Sequence, residues 1–114
     1  MAFTNLTYLR TITDGNKAII REMIEMFLMQ IPVFIQNMND DYQTGNFLAL
    51  GKEAHKAKSS LQILGMTELE IEMKTLLMKT IAGTDVESYP IHIKKFENQC
   101  AAAAIELKAV LATL

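Results

Sequence analysis

Apolar residues along this chain recur at steps of three and four rather than two, so the pattern predicts helices throughout. Over about residues 17–39 they fall at Ile20, Ile24, Phe27, Ile31, Phe34 and Met38, which is one face of a long helix. A second stripe, Ile19, Met23, Met26 and Val33, widens that face enough to meet two neighbours at once. Pro32 inside the run predicts a kink or local break just before it, because proline lacks an amide donor and crowds the preceding turn. Ahead of it, residues 4–12 predict a short helix offering Leu6, Leu9 and Tyr8 for packing, and Asp14 is positioned to cap the long helix.

The same periodicity continues after the break "DDYQTGN". A third helix is expected over about 45–64, capped by Thr44 or Asn46, with Phe47, Leu50, Ala54, Ala57, Leu61 and Leu64 facing the core and Gly65 closing it. Thr67 and Glu70 match a capping box at the start of a fourth helix reaching about Ile81. It buries Leu69, Met73, Leu76 and Leu77, while Glu68, Glu70 and Glu72 suit its positive N-terminal end. "AGTDVESYP" then carries two competing starts for the last helix. Thr84 with Glu87 forms a second capping box but places Pro90 inside the helix; Ser88 as cap puts Pro90 in the first turn, where no donor is missed, and is preferred. From there Ile93, Phe96, Cys100, Ala103, Leu107, Val110 and Leu114 form an unbroken seam. Short connections make neighbouring helices run antiparallel. The expected fold is therefore all-α: one domain over 1–114, an antiparallel up-down-up-down four-helix bundle with a short extra N-terminal helix.

Composition narrows the function more than the fold. Half of the 114 residues are apolar, and the net charge is −2 with both signs dispersed. That leaves no basic footprint for nucleic acid or a lipid surface. No 18-residue apolar run and no signal-peptide pattern is seen, so neither membrane insertion nor export is expected, and a cytoplasmic location is. Cys100 is the single cysteine, excludes an internal disulfide and reads as a small core residue. His92 has no partner at ligand spacing and reads as a surface or satisfied histidine; the Glu68, Glu70, Glu72 group reads as capping and solvation. No metal site, intrinsic cofactor, glycine-rich phosphate loop or serine nucleophile motif is expected, and so no independent enzymatic chemistry.

The stretch "EAHKAKSSLQILGM", 53–66, carries the one pointed feature. At about 100° per residue, His55 lies roughly 140° from the centre of the third helix's core face, so it is predicted to face water. Gly51 one turn before it and Ser59 one turn after leave the ring approachable, while Lys52, Lys56 and Lys58 surround it with positive charge. If the ring attacks a phosphoryl group, Lys58 is the cation expected to give the product a charge-assisted hydrogen bond. Leu48, some 20° round the helix from His55, and Gln62, on the same line, complete the expected docking face with Gly51, Lys52 and Ser59. Geometry alone also allows a plain reading: a solvated helix face, with Leu48 against the short N-terminal helix and Gln62 merely exposed.

"AHKAKSSLQILGM" resembles the signature of histidine-containing phosphotransfer (HPt) domains, approximately Ala-His-x-Leu-Lys-Gly-Ser-x-x-x-Leu-Gly-Ala, with Ala54, His55, Lys58, Ser60 and Gly65 on matching positions. "MIEMFLMQIPVFIQNM" is similar to the family's second helix and "TGNFLALGKEAHKAK" to its turn and active helix, so the resemblance spans nearly the whole chain. It implies a monomeric phosphorelay intermediate in which His55 accepts a phosphoryl group from an aspartyl phosphate on one response-regulator receiver domain and passes it to an aspartate on another. It also implies a hybrid sensor histidine kinase upstream, with Mg²⁺ bound by the receiver rather than by this chain. Ser59 departs from the family's usual Gly, Ala57 replaces a commonly larger residue and Met66 a small one. Those departures leave open an HPt-like domain that only binds or dimerises.

Overall fold

In the computed structural model, which describes residues 2–114, helices form over Thr7–Ile12 (α1), Lys17–Gln43 (α2), Phe47–Ile63 (α3), Thr67–Ala82 (α4) and Tyr89–Thr113 (α5), with a 3-10 turn at Val86–Ser88. No strand occurs among the described residues. The 27 residues of α2, rising about 1.5 Å each, account for nearly all of the molecule's longest dimension of 43 Å. Its buried row is Ile20, Ile24, Phe27, Ile31, Phe34 and Met38, the stripe expected from the sequence. The second stripe does not find neighbours as anticipated: Ile19, Met26 and Val33 are exposed and only Met23 is partly covered.

Several expected boundaries are corrected by local chemistry. Asn16, not Asp14, caps α2 by accepting a hydrogen bond from the Ile19 amide at 3.1 Å, while Asp14 turns the chain in a left-handed conformation, φ 51°. The helix continues without a break through Pro32, which sits on the exposed side. Of the two caps proposed for α3, Asn46 serves, accepting from the Ala49 amide. The Thr67–Glu70 capping box does not form: Met66 is buried at the cap position, so Thr67 already lies in the helix, and the Glu70 amide donates to the Met66 carbonyl. The last helix begins where Ser88 and Pro90 indicate, but the Ser88 hydroxyl donates to the Asp85 carbonyl rather than capping α5.

Each long helix packs on two others: α2 on α3 and α5, α4 on α3 and α5. One apolar core gathers residues from all five helices, with Phe34 and Phe96 meeting edge to face and Tyr89 fully buried against Phe47. Among the described residues, no helix is long and apolar enough to cross a membrane. Cys100 is fully buried, and burial pushes its thiol up to about 12.

Polar groups fasten this core in two places. His92 is buried between α4 and α5: Nδ1 meets the Glu72 carboxylate, and Nε2 lies 3.0 Å from Lys79 Nζ. Lys79 also donates to Ser88 Oγ at 3.0 Å, and Lys95 approaches the other oxygen of Glu72 at 3.4 Å. His92 is thus the satisfied histidine of the two readings left open, and Glu72 is its partner rather than a solvated helix-end charge. At the opposite end, Gly65 adopts φ +67° and a Cβ there would lie 2.3 Å from the Asn5 carbonyl oxygen, so only glycine admits the N-terminal segment. That segment is tied by Asn5 N–H to the Leu64 carbonyl at 2.9 Å, and by the Phe3 and Thr4 amides and the Thr4 hydroxyl to the Glu106 carboxylate.

Desolvation raises the Glu106 carboxyl, but the hydrogen bonds from Phe3 and Thr4 outweigh it and hold the group below its ordinary value of 4.5. Its stabilising contribution is therefore complete above that value and is lost as pH falls through the lower folded value. In acid titrations followed by circular dichroism, the difference in stability between wild type and Glu106→Gln is expected to be largest near neutrality and to shrink below pH 4.5.

Candidate functional site

Helix α3 is held on its inner side by Leu50, Ala54, Ala57 and Leu61, all essentially buried, and this fixes what its outer side can present. His55 projects from that outer side and is exposed, as are Leu48, Lys52, Ser59 and Gln62. Neither ring nitrogen of His55 has a hydrogen-bond partner among the described residues. The contrast with His92, both of whose nitrogens are engaged, is complete.

The ring stands on a ridge between two hollows. On one side it lines a groove between α2 and α3 with Met26, Met29, Val33, Lys56 and Ser59. On the other it lines a shallower hollow with Lys52, Lys56 and Leu77. The wall of the groove is largely hydrocarbon: Met26, Met29 and Val33 are 57%, 76% and 56% exposed. Phe34, Gln30, Glu53 and Ser60 also line it; Ser60 donates to Gln30 at 3.2 Å, and Asn37 Nδ2 donates to the buried Glu53 at 3.0 Å. Carbon beside cations and an unengaged imidazole suits a partner that brings an apolar surface together with an anion.

Lys58 is partly buried and forms no ion pair among the described residues, and it lines neither hollow. At about 100° per residue it projects some 60° from His55 towards the α4 side. Lys56 is held differently, its Nζ 3.8 Å from Glu53 Oε2. Leu48 is 65% exposed and does not pack beneath α1, since the N-terminal segment crosses the molecule at Leu64 and Gly65 instead.

Gly51 corrects the docking face. It is buried, and a Cβ placed on it would lie 2.1 Å from Thr80 Oγ1 and 3.2 Å from Thr80 Cβ. The glycine lets α3 and α4 approach closely and is not available to a partner. Of the other groove residues, Met26 belongs to a methionine pair, with Met23, that the sequence leaves open as a recognition surface, whereas nothing in the sequence marks Met29, Val33 or Glu53 as part of a site. The signal for Met26, Met29 and Val33 is the width of the apolar sector of α2, which exceeds what its two packed neighbours cover.

Among the described residues, no three His, Cys, Asp or Glu side chains converge to hold a metal ion. Compared with protein-family models, with curated proteins and with solved structures, the chain matches none. The likeness to HPt domains therefore rests on the residues quoted from the sequence.

Replacing Gly51 with Ala tests the close approach. An exposed helical site would gain up to about 1 kcal/mol from alanine's propensity; here overpacking against Thr80 is expected to dominate and lower stability by about 1–3 kcal/mol. Urea unfolding should show that loss, and Thr80→Ala in the same chain should recover part of it.

Proposed function

We propose that this chain is a phosphorelay intermediate of the HPt type, with His55 as the phosphoryl acceptor. The observation that carries the reading is the difference between its two histidines: His92 is buried with both nitrogens committed, and His55 is exposed, uncommitted and bordered by lysines. The cycle of packing from α2 through α3, α4 and α5 supports the up-down-up-down four-helix bundle that such domains adopt. In this reading the domain acts as a cytoplasmic monomer between a hybrid sensor kinase and its receivers.

The chemistry asks little of the bundle itself. The neutral imidazole of His55 offers a ring-nitrogen lone pair. Attack on a receiver's aspartyl phosphate forms an N–P bond as the P–O bond breaks and returns the aspartate carboxylate; transfer onward reverses these steps on another receiver. Mg²⁺ bound by the receiver, not by this chain, would supply charge compensation for the phosphoryl group. This chain contributes an exposed nucleophile, the apolar wall of Met26, Met29 and Val33 for docking, and Lys58 as the cation for the phosphoryl oxygens. Leu48, Lys52, Ser59 and Gln62 lie on the same exposed side and extend the docking face.

A second reading, an HPt-like domain that binds or dimerises without transfer, draws on Ser59 in place of the usual glycine and on the same apolar wall. Incubation with phosphorylated receivers separates the two. Transfer is expected to place acid-labile, base-stable phosphate on the chain, His55→Gln to abolish it, and Lys58→Ala to slow it roughly ten- to a hundredfold while binding persists. Label that survives in His55→Gln would overturn the assignment; binding with no label in the wild type would favour the second reading.

A further inference from the structure

The lysine nearest His55 in sequence is also the one the fold restrains. At about 100° per residue, Lys56 projects towards α2, on the opposite flank of His55 from Lys58. It shares both hollows with the histidine, a property no other cation has among the described residues. Its ammonium is nevertheless occupied, 3.8 Å from the Oε2 of Glu53.

Glu53 is an unusual residue to find there. Its side chain is only 10% exposed, and its other oxygen accepts from Asn37 Nδ2 at 3.0 Å. A buried carboxylate in the wall of a groove meant for an anion would repel that anion unless its charge were balanced. Lys56 balances it, but loosely. The Lys56 side chain is 67% exposed and the separation is long, conditions under which such pairs contribute little. A phosphoryl group carries roughly 1.5 to 2 negative charges, more than one carboxylate.

We propose that Lys56 is a second phosphoryl-binding cation of this site and that Glu53 is its positioning residue. Glu53 holds the ammonium beside His55 in the resting protein; when the ring is phosphorylated, Lys56 leaves the carboxylate for the phosphoryl oxygens, and Asn37 remains to satisfy Glu53. The inference deepens the phosphohistidine reading of His55 and rests on it.

The test uses the whole chain and phosphoramidate, which transfers its phosphoryl group to imidazole as the P–N bond breaks and ammonia leaves. The second ionisation of the phosphoryl group on His55 is followed by ³¹P NMR, with His55→Gln identifying the signal. A nearby cation favours the dianion, so Lys56→Met is expected to raise that pKa by about half a unit, and Lys56→Arg to restore it. Glu53→Gln, which keeps an acceptor for Asn37 and frees Lys56, should lower it, and Glu53→Gln combined with Lys56→Met should match Lys56→Met alone.

An unchanged ionisation in Lys56→Met overturns the proposal. So does a Glu53→Gln shift that persists in the double variant, since the carboxylate would then act directly rather than through Lys56. If Glu53→Gln fails to fold, the Lys56→Met and Lys56→Arg comparison decides alone. Because phosphoramidate needs no receiver, failure of receiver transfer with these shifts intact would overturn the phosphorelay reading and leave the Lys56 exchange standing.

Discussion

The close approach of α3 to α4 at Gly51 is the constraint on which the rest of the molecule depends. With no Cβ to hold the helices apart, α3 settles against Thr80 and Leu77 while its other flank packs on α2. Leu50, Ala54, Ala57 and Leu61 are then sealed inside, and two of those four are alanines, so the helix sits deep. A helix pinned on two flanks has one narrow strip left for solvent. His55 occupies the middle of that strip, and its exposure follows from the burial of the residues around the other sides.

Polar groups are distributed differently between two of the helix seams. Where α4 meets α5, His92, Glu72, Lys79 and Ser88 satisfy one another, and the carbonyl of Lys79 accepts from the buried Tyr89 hydroxyl at 3.0 Å. Burying such groups is tolerated because none is left without a partner. Where α2 meets α3, the seam is closed by Ser60 with Gln30 and by Glu53 with Asn37, and the groove above it opens onto methionine and valine. One seam is finished and inert, while the other is sealed below and uncovered above.

Much of this was legible in the chain because helical periodicity is a repeated signal. The buried row of α2, the inner face of α3 and most of the α5 seam follow from three- and four-residue steps alone, and the exposure of His55 follows from its angle to them. What escaped depends on partners distant in sequence. Nothing local tells that Glu72 will meet His92 twenty positions on, or that Gly51 faces Thr80. Caps were misplaced for a related reason: Asp14 and Thr67 have suitable side chains, but the turn geometry and the burial of Met66 decided where each helix begins. Tyr89, four residues before Ile93, continues the α5 seam back to the helix's first residue, where Phe47 on another helix covers its ring.

The unequal treatment of the two histidines has a practical consequence. With only two imidazoles in the chain, a nitrogen-15 spectrum of the rings contains one pair of signals locked in a buried network and one pair open to solvent. The Nδ1 proton of the first, held by the Glu72 carboxylate on a buried ring, is shielded from exchange and gauges the integrity of the α4–α5 seam. The second pair reports on whatever approaches the α2–α3 groove. The molecule thus carries its own internal reference beside its probe, with no label to be engineered.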